Sequence, residues 1–213
     1  MQSDLYVSLY KANLMSGSAQ NPLSLSDIQV SLFGTLKLER NGETLRLPAS
    51  TDARHLLTYL LLNRQKKHSR TVLLGVFWGE SPEPRARKAL SQAIWYIRRD
   101  LPELLETNHE TITISSSIHI WVDIEEFKYL TTKTEKTSQS LEQAVQLYRG
   151  NLLEGLYEEW LLLEREHLRE LYLQTLEQVI QLKKAEAKYQ EALDLSLKLA
   201  ESDSLRESAH REI

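Results

Sequence analysis

Apolar and polar residues alternate from Ile28 onwards, and this period of two predicts strands. The pair Asn41 and Gly42 then predicts a tight hairpin, because both central positions of a type I′ turn need a positive φ. If Arg40 pairs with Glu43, the leucines of the two strands share one face. These residues are Leu36, Leu38, Leu45 and Leu47. A small antiparallel sheet with one buried face is therefore expected.

The period changes to 3.6 residues after Pro48 and predicts three helices. The first begins at Ser50 or Thr51 and carries a stripe of leucines. The second runs from Thr71 to Trp78 and ends at Gly79. Its short connection to a third helix is typical of a helix-turn-helix.

The third helix, Ser81 to Leu101, has two unlike faces. Ser81 is a suitable N-cap, and Pro82 suits the first helical position, where a missing N–H costs nothing. One face is apolar and contains Ala86, Leu90, Ala93, Ile94, Ile97 and Leu101. The other is basic and polar and contains Arg85, Lys88, Ser91, Gln92, Trp95 and Arg99. On an isolated helix this second face would be a solvated surface, so its meaning depends on the neighbouring elements.

A second alternating run follows the third helix and predicts the wing of a winged helix. Five apolar residues lie at even positions here: Ile112, Ile114, Ile118, Ile120 and Val122. Two strands joined through Ser115, Ser116 and Ser117 keep one apolar face. The predicted wing tip therefore carries hydroxyl groups and no cation.

From Asp123 the pattern is helical to the end of the chain. Asp123 and Glu126 have the spacing of a capping box. Further helices are predicted at 141–148, at about 157–183 and at about 187–201. Paired helices of this kind are similar to tetratricopeptide (TPR) stacking. Because the pattern is still helical at Ile213, we expect the architecture to continue beyond this residue.

Composition adds a charge asymmetry to this picture. The chain has 213 residues, a net charge of −4 and no cysteine, which excludes disulfides and thiolate metal sites. Residues 28–122 contain 13 Lys and Arg against 9 Asp and Glu, whereas residues 123–213 contain 12 against 19. A basic first half suggests a polyanionic partner for that half alone, with random scatter of charge as the alternative.

Targeting and enzyme motifs are absent from the sequence. Residues 1–27 read as a flexible leader, and no stretch has the length of a signal peptide or membrane helix. We therefore expect a cytoplasmic protein with no membrane partner. The chain has no G-x-x-x-x-G-K-[ST], G-x-S-x-G or H-E-x-x-H motif, and His109 and His119 lack metal-site spacing. A non-enzymatic protein without cofactor, metal or small-molecule substrate is expected.

Together, these elements resemble a known family. The segments LFGTLKLERNGETLRLP and LLGVFWGESPEPRARKALSQAIWYIRRDL, with the first helix and the wing, resemble the OmpR-type winged helix of SARP-type (AfsR-like) bacterial transcriptional activators. The segments VDIEEF, LYRGNLLEGLYEEWLLLEREHLRELY and YQEALDLSLKLAESDSLRESAHRE resemble the bacterial transcriptional activation domain that follows it. The resemblance implies a mainly α protein with small β-sheets. A flexible leader (1–27) would precede a winged helix-turn-helix DNA-binding domain (28–122) and an all-α, TPR-like repeat domain (123–213).

The same resemblance implies an activator that binds double-stranded promoter DNA on direct repeats, as a homodimer at least on DNA, and contacts RNA polymerase. Its recognition helix falls on Pro84 to Asp100, with DNA-facing positions at Arg85, Lys88, Ser91, Gln92, Trp95, Tyr96 and Arg99. Arg87 and Arg98 match basic family positions, where phosphate contact and a structural role are both open. The turn Gly79, Glu80 and Ser81 corresponds to a polymerase-contact loop.

Other candidate DNA contacts lie outside the third helix. Lys66, Lys67 and Arg70 are placed to hold the phosphate backbone, or they belong to a solvated loop. The predicted wing adds Thr113, Ser115, Ser116 and Ser117.

Trp95 and Tyr96 depart from the family, which commonly has a polar or basic residue at these positions. Trp95 could stack on a sugar or touch a thymine methyl group, or it could face a protein. A rival function is therefore a helical interaction or regulatory module, the front end of a larger ATP-dependent regulator, that has lost DNA binding. The basic face and the charge asymmetry favour DNA.

Overall fold

The computed structural model describes residues 28–202 of the chain. The predicted leader at 1–27 and the helical pattern of 203–213 lie outside the described residues. Within them the protein is mainly α-helical with small β-sheets, and a winged helix-turn-helix is followed by an all-α, TPR-like region. The predicted fold class is confirmed.

The elements follow one another in the order expected for these two architectures. The strands are β1 (Ile28–Ser31), β2 (Lys37–Arg40), β3 (Glu43–Thr44), β4 (His68–Ser69), β5 (Leu105–Thr107), β6 (Thr111–Ile114) and β7 (Ile120–Val122). The helices are α1 (Thr51–Leu62), α2 (Arg70–Trp78), α3 (Glu83–Asp100), α4 (Asp123–Thr132), α5 (Ser138–Leu147), α6 (Glu159–Ala185) and α7 (Tyr189–Ser202).

The hairpin predicted from Asn41 and Gly42 is present between β2 and β3. The φ angle is 55° at Asn41 and 82° at Gly42, as a type I′ turn requires. Arg40 pairs with Glu43, so the predicted register is correct. These strands belong to a four-stranded sheet of order β3-β2-β1-β7.

Three helices form the helix-turn-helix. Ser50 caps α1, because its Oγ accepts a hydrogen bond from Ala53 N at 3.4 Å. Four leucines of α1 are fully buried: Leu56, Leu57, Leu60 and Leu61. The start of α3 differs from the prediction, since Pro82 and not Ser81 occupies the N-cap position. Ser81 is instead part of the turn that closes α2, where its N–H donates to Trp78 O at 2.9 Å.

The wing is formed by β5 and β6, and the predicted hairpin through Ser115, Ser116 and Ser117 is wrong. β6 lies between β4 and β5 in an antiparallel sheet of order β4-β6-β5. The strand after the serines, β7, joins β1 of the other sheet. The alternation of apolar and polar residues correctly predicted that the isoleucines are buried. It could not identify which strands pair, because a period of two is compatible with every pairing.

The contacts of the described chain divide it into two compact units. The first consists of residues 28–29 and 37–120, and the second of residues 30–36 and 121–202. The first unit contains the helix-turn-helix and the wing, and the second contains α4 to α7. Residues 30–36 are thus grouped with the helical region, although they precede the helix-turn-helix in sequence. The domain boundary between 122 and 123 stays a prediction.

A buried carboxylate attaches residues of this early segment to α4. Asp123 accepts hydrogen bonds from Leu32 N at 2.9 Å to each carboxylate oxygen, and from Phe33 N at 3.0 Å. It also accepts from Ile124 N at 2.8 Å. Asp123 is the first residue of α4 and not its N-cap. The predicted capping box with Glu126 is therefore wrong, because the carboxylate is occupied by the backbone of a distant segment.

Burial raises the pKa of Asp123 above its usual range, while the N–H donors of Phe33, Leu32 and Ile124 oppose the rise. A carboxyl group of raised pKa binds a proton more readily in the folded chain than in the unfolded chain. The stability gained from this proton uptake is therefore present at low pH and is lost as the pH rises through the raised pKa, whereas the hydrogen bonds that Asp123 accepts from the backbone remain at neutral pH.

Aromatic side chains pack around the attached segment. The ring of Phe33 lies 5.2 Å from that of Phe127 and 4.8 Å from that of Tyr148. Tyr148 in turn stacks on Tyr172 with ring centroids 4.0 Å apart. Burial raises the pKa of Tyr148 to about 12. Phe33 is thus a core residue of the helical unit.

One lysine connects three helices of the second unit. Lys183 of α6 is 6% exposed, and its Nζ lies 3.0 Å from Glu142 Oε1 of α5 and 2.6 Å from Glu191 Oε2 of α7. A charge this inaccessible needs partners, and these two carboxylates supply them. These ion pairs join α6 to α5 and to α7.

We expect Asp123→Asn to lower the free energy of unfolding by about 1–3 kcal/mol, the cost of leaving buried polar groups unpaired. The amide nitrogen would face a backbone N–H where a carboxylate oxygen now accepts one. Urea unfolding at neutral pH measures the change. Asp194→Asn, on the exposed side of α7, is the matched control and should change it by less than about 0.5 kcal/mol. Equal losses in the two variants would contradict this role for Asp123.

Candidate nucleic-acid interface

The two faces of α3 are as the sequence predicts. Ala86, Leu90, Ala93, Ile94 and Ile97 are buried. The polar face is exposed at Arg85, Lys88, Ser91, Gln92, Trp95 and Arg99. The basic face is therefore open to a partner. Its side chains differ in whether they already form ion pairs or hydrogen bonds within the protein.

The first half of the exposed face keeps two cations available. Arg85 and Lys88 are exposed and form no ion pair with any described residue. Arg87, by contrast, pairs with Glu83 one turn earlier, with Arg87 Nη2 2.6 Å from Glu83 Oε1. Both partners are exposed, so this pair adds only about 0.3–0.5 kcal/mol to stability and can be exchanged for another anion.

The second half of the face is neutral and aromatic. Arg99 donates from Nε to Asp100 Oδ1 at 3.0 Å and from Nη2 to Asp100 Oδ2 at 2.9 Å. This hydrogen bonding holds the pKa of Asp100 below its usual range. The guanidinium of Arg99 also lies 5.3 Å from the ring centre of Trp95 and 5.1 Å from that of Tyr96. Arg99 is thus committed within the protein.

Two arginines fix the wing to the helices. Arg98 of α3 donates from Nη2 to Thr107 Oγ1 of β5 at 2.6 Å. Arg70 of α2 donates from Nε to Asn108 O, in the turn of the wing, at 2.9 Å. Of the two roles left open for Arg98, these contacts favour the structural one, and they give Arg70 the same role.

The tip of the wing was missed by the sequence analysis. Asn108, His109 and Glu110 form the turn between β5 and β6 and are exposed. Asn108 Oδ1 accepts from Glu110 N at 2.8 Å and from Thr111 N at 2.7 Å. Asn is a residue that closes such turns with its own side chain, and this was the available signal. A cavity of about 280 Å³ separates this tip from α2 and α3.

The serines predicted at the wing tip lie elsewhere. Ser115 is buried, and its Oγ donates to Glu106 Oε1 at 2.7 Å. Ser116 and Ser117 are exposed but belong to the connection to β7. Thr113 lies within β6, where its hydroxyl is 3.5 Å from Lys66 O. The side chains of Lys66 and Lys67 are exposed just before β4.

The predicted polymerase-contact turn is exposed at Gly79 and Glu80 and half-buried at Ser81. Gly79 is required by close packing, because a Cβ there would lie 2.9 Å from Gly75 O. The turn therefore presents Glu80 on a tightly folded backbone.

Residues 28–202 contain neither a metal-binding cluster nor a membrane-spanning helix. No group of three or more His, Asp or Glu side chains in this range could hold a metal ion. No helix in the same part of the chain is long and apolar enough to cross a membrane.

Comparison with known proteins adds two likenesses to this geometry. Residues 123–213 match the family model of the bacterial transcriptional activator domain. The fold is similar to that of Mycobacterium tuberculosis EmbR, solved in complex with a low-affinity phosphopeptide, with a TM-score of 0.70 and 17% identity. The resemblance to SARP-type activators is confirmed.

The extent of each likeness is limited. The EmbR alignment covers 87% of this chain and 53% of the EmbR chain, so the chain spans about half the length of that protein. At this identity the likeness concerns the fold alone. No curated protein matches the chain.

We expect Arg98→Ala to loosen the wing, because it removes the hydrogen bond to Thr107. Losing about 1 kcal/mol of local stability should speed amide exchange in β5 and β6 about fivefold. Arg85→Ala, which removes a cation without a partner, should leave these rates unchanged. Hydrogen exchange followed by mass spectrometry makes the comparison, and equal rates in the two variants would refute the bracing role of Arg98.

Proposed function

We propose that the protein is a sequence-specific DNA-binding transcriptional regulator that reads promoter DNA with the first half of α3. One observation carries the proposal: Arg85, Lys88, Ser91 and Gln92 form an exposed hydrogen-bonding face on a helix whose wing is fixed by arginine contacts. In a helix-turn-helix, the N-terminal part of the recognition helix contacts base edges. The two free cations of α3 lie in this part.

The chemistry of these side chains suits the major groove. Arg85 and Lys88 can donate to guanine O6 and N7 or to phosphates, and Gln92 has the donor and acceptor that match adenine. Lys66 and Lys67, exposed before β4, are proposed phosphate contacts. Arg70 and Arg98 act by positioning the wing. Arg87 can contact a phosphate only by giving up Glu83. The proposed DNA-reading set does not include Arg99, because this residue is paired with Asp100. It also leaves out Trp95 and Tyr96, the two aromatic residues against which Arg99 lies.

The finer function proposed is activation. The match of residues 123–213 to the bacterial transcriptional activator domain supports it. We infer that two copies bind direct repeats in the cytoplasm and that Gly79, Glu80 and Ser81 contact RNA polymerase. No catalytic role, cofactor or small-molecule substrate is part of the proposal.

The second candidate function is an interaction module without DNA binding, the front end of a larger regulator. The neutral aromatic half of α3 favours it, because an exposed Trp95 beside a paired Arg99 is suited to a protein surface.

Genomic DNA fragments retained by the purified protein across a salt series test the main proposal, and a discrete promoter set is expected. On such a fragment, Arg85→Ala and Lys88→Ala should each weaken binding by about 1–3 kcal/mol if they contact bases, or lower the salt slope by about 1 if they contact phosphates. Gel shifts at several salt concentrations measure both quantities.

Lys188→Ala is the control for this series, because it removes an exposed lysine from the second unit. Its affinity and salt slope should match those of the original chain. Retention of no fragment at low salt would refute DNA binding and leave the interaction module.

We expect Glu80→Lys to reduce transcription from a bound promoter several-fold without changing DNA affinity. The charge reversal lies on the exposed turn and outside the proposed DNA-reading face. Transcription with purified bacterial RNA polymerase, measured beside a gel shift, gives both values. Unchanged transcription would remove this turn from the proposed polymerase contact.

A further inference from the structure

We propose that the start of α6 is a docking surface for a cationic amphipathic helix of another protein. The surface combines exposed apolar side chains with glutamates, and we call it the acidic leucine patch. It is formed by Tyr157, Glu159, Leu162, Leu163 and Glu166. All of these residues belong to the second unit, so the proposal does not depend on DNA binding.

The acidic leucine patch brings together strongly exposed apolar side chains. Tyr157 and Leu163 are each 86% exposed, the highest values among the large apolar residues of the described second unit. Leu162 is 51% exposed. Single exposed leucines are ordinary on a protein surface, whereas a group of apolar side chains rimmed by polar residues marks an interaction site.

Helical spacing places most of the patch on one face of α6. Leu162, Leu163 and Glu166 follow Glu159 at intervals of three, four and seven residues, so their side chains are neighbours. Leu161, on the opposite side of the helix, is fully buried and supplies the core contact of this turn. Such a row of side chains on a helix forms ridges and grooves that a second helix can pack into. The shape of the patch therefore suits a helical partner.

The backbone that leads into the patch is held by Arg165 of α6. Its Nε donates to Leu152 O at 2.8 Å. Its Nη2 donates to Leu153 O at 2.9 Å and to Leu156 O at 2.7 Å. These bonds fix the turn that places Tyr157 beside the start of α6. The backbone of the patch is thus ordered before a partner arrives, which lowers the entropy cost of binding.

The charge around the patch is strongly negative. Residues 154–170 contain six Glu against two Arg. Both arginines are engaged, because Arg165 holds the turn and Arg169 Nη1 lies 3.3 Å from Glu166 Oε1. Of the six acids, Glu164 is paired with Lys128 of α4. The remaining negative charge repels nucleic-acid phosphates and acidic proteins and attracts a cationic partner.

A complementary partner carries an apolar stripe with Lys or Arg along its edge. The stripe would cover Leu162 and Leu163, and a cation beside it would meet Glu159, which forms no ion pair with any described residue. Glu166 is also accessible, because its side chain is 69% exposed and an exposed pair with Arg169 is weak enough to be exchanged. Helices that present anchors at such spacings are a recurrent mode of recognition between proteins.

The experiment uses the full chain and a synthetic amphipathic helix of leucine and lysine whose leucines lie on one face. Fluorescence anisotropy of the labelled peptide should show saturable binding that weakens as the salt concentration rises. Leu163→Ala should weaken binding roughly tenfold, the effect of truncating an interface anchor. Leu197→Ala, exposed on α7, is the matched control and should leave the affinity unchanged.

A charge exchange separates recognition from unspecific adhesion of the peptide. Glu159→Lys should weaken binding of the leucine–lysine peptide roughly fivefold and strengthen binding of a matching leucine–glutamate peptide by a similar factor. Local damage to the fold would not improve binding of the second peptide. Glu201→Lys, the same reversal at an exposed position of α7, should change neither affinity.

Four outcomes would overturn the proposal. The first two are no binding of the leucine–lysine peptide to the original chain and an unchanged affinity in Leu163→Ala. The third is equal affinity of the original chain for both peptides, which would assign the patch to an apolar partner of any charge. The fourth is self-association of the original chain in sedimentation that Leu163→Ala abolishes, which would assign the patch to a second copy.

Discussion

The carboxylate of Asp123 is the constraint on which the second unit depends. It accepts hydrogen bonds from the backbone of Leu32 and Phe33, residues that lie about ninety positions earlier in the chain. These bonds place Phe33 against Phe127 and Tyr148. The helical unit therefore includes a segment that precedes the helix-turn-helix, so residues 123–202 do not contain all the residues of the second unit. Cutting the chain at residue 122 would remove Phe33 from the core of the helical unit.

The chemistry of α3 depends on a second set of contacts, which divides one basic face into two parts. Arg85 and Lys88 keep their charges available, while Arg99 is paired with Asp100 and lies against two aromatic rings. The first part carries the proposed DNA contacts, and the second is the part that favours the alternative, an interaction module.

Much of the fold could be predicted from local pattern. The hairpin at Asn41 and Gly42 was correct because its turn requires positive φ at both positions. The buried stripe of α3 was correct because helical spacing alone decides which residues share a face. The wing was misplaced because the alternation of apolar and polar residues is the same whichever strands pair. The sequence therefore could not show that β7 pairs with β1 and not with β6. For the candidate site, the exposed residues of α3 were found, whereas the wing tip at Asn108, His109 and Glu110 was missed.

By itself the sequence determined the order of the elements, the faces of the helices and the separation of a basic half from an acidic one. These properties follow from spacing along the chain, which is fixed covalently. Tertiary structure alone decided which side chains of different elements meet. Arg98 of α3 donates to Thr107 of β5, a contact that the residue spacing within either element does not show. The hydrogen-bond partners of Asp123 were decided in the same way. A carboxylate accepts hydrogen bonds from whichever donors the fold brings to it, and here the donors belong to a distant segment.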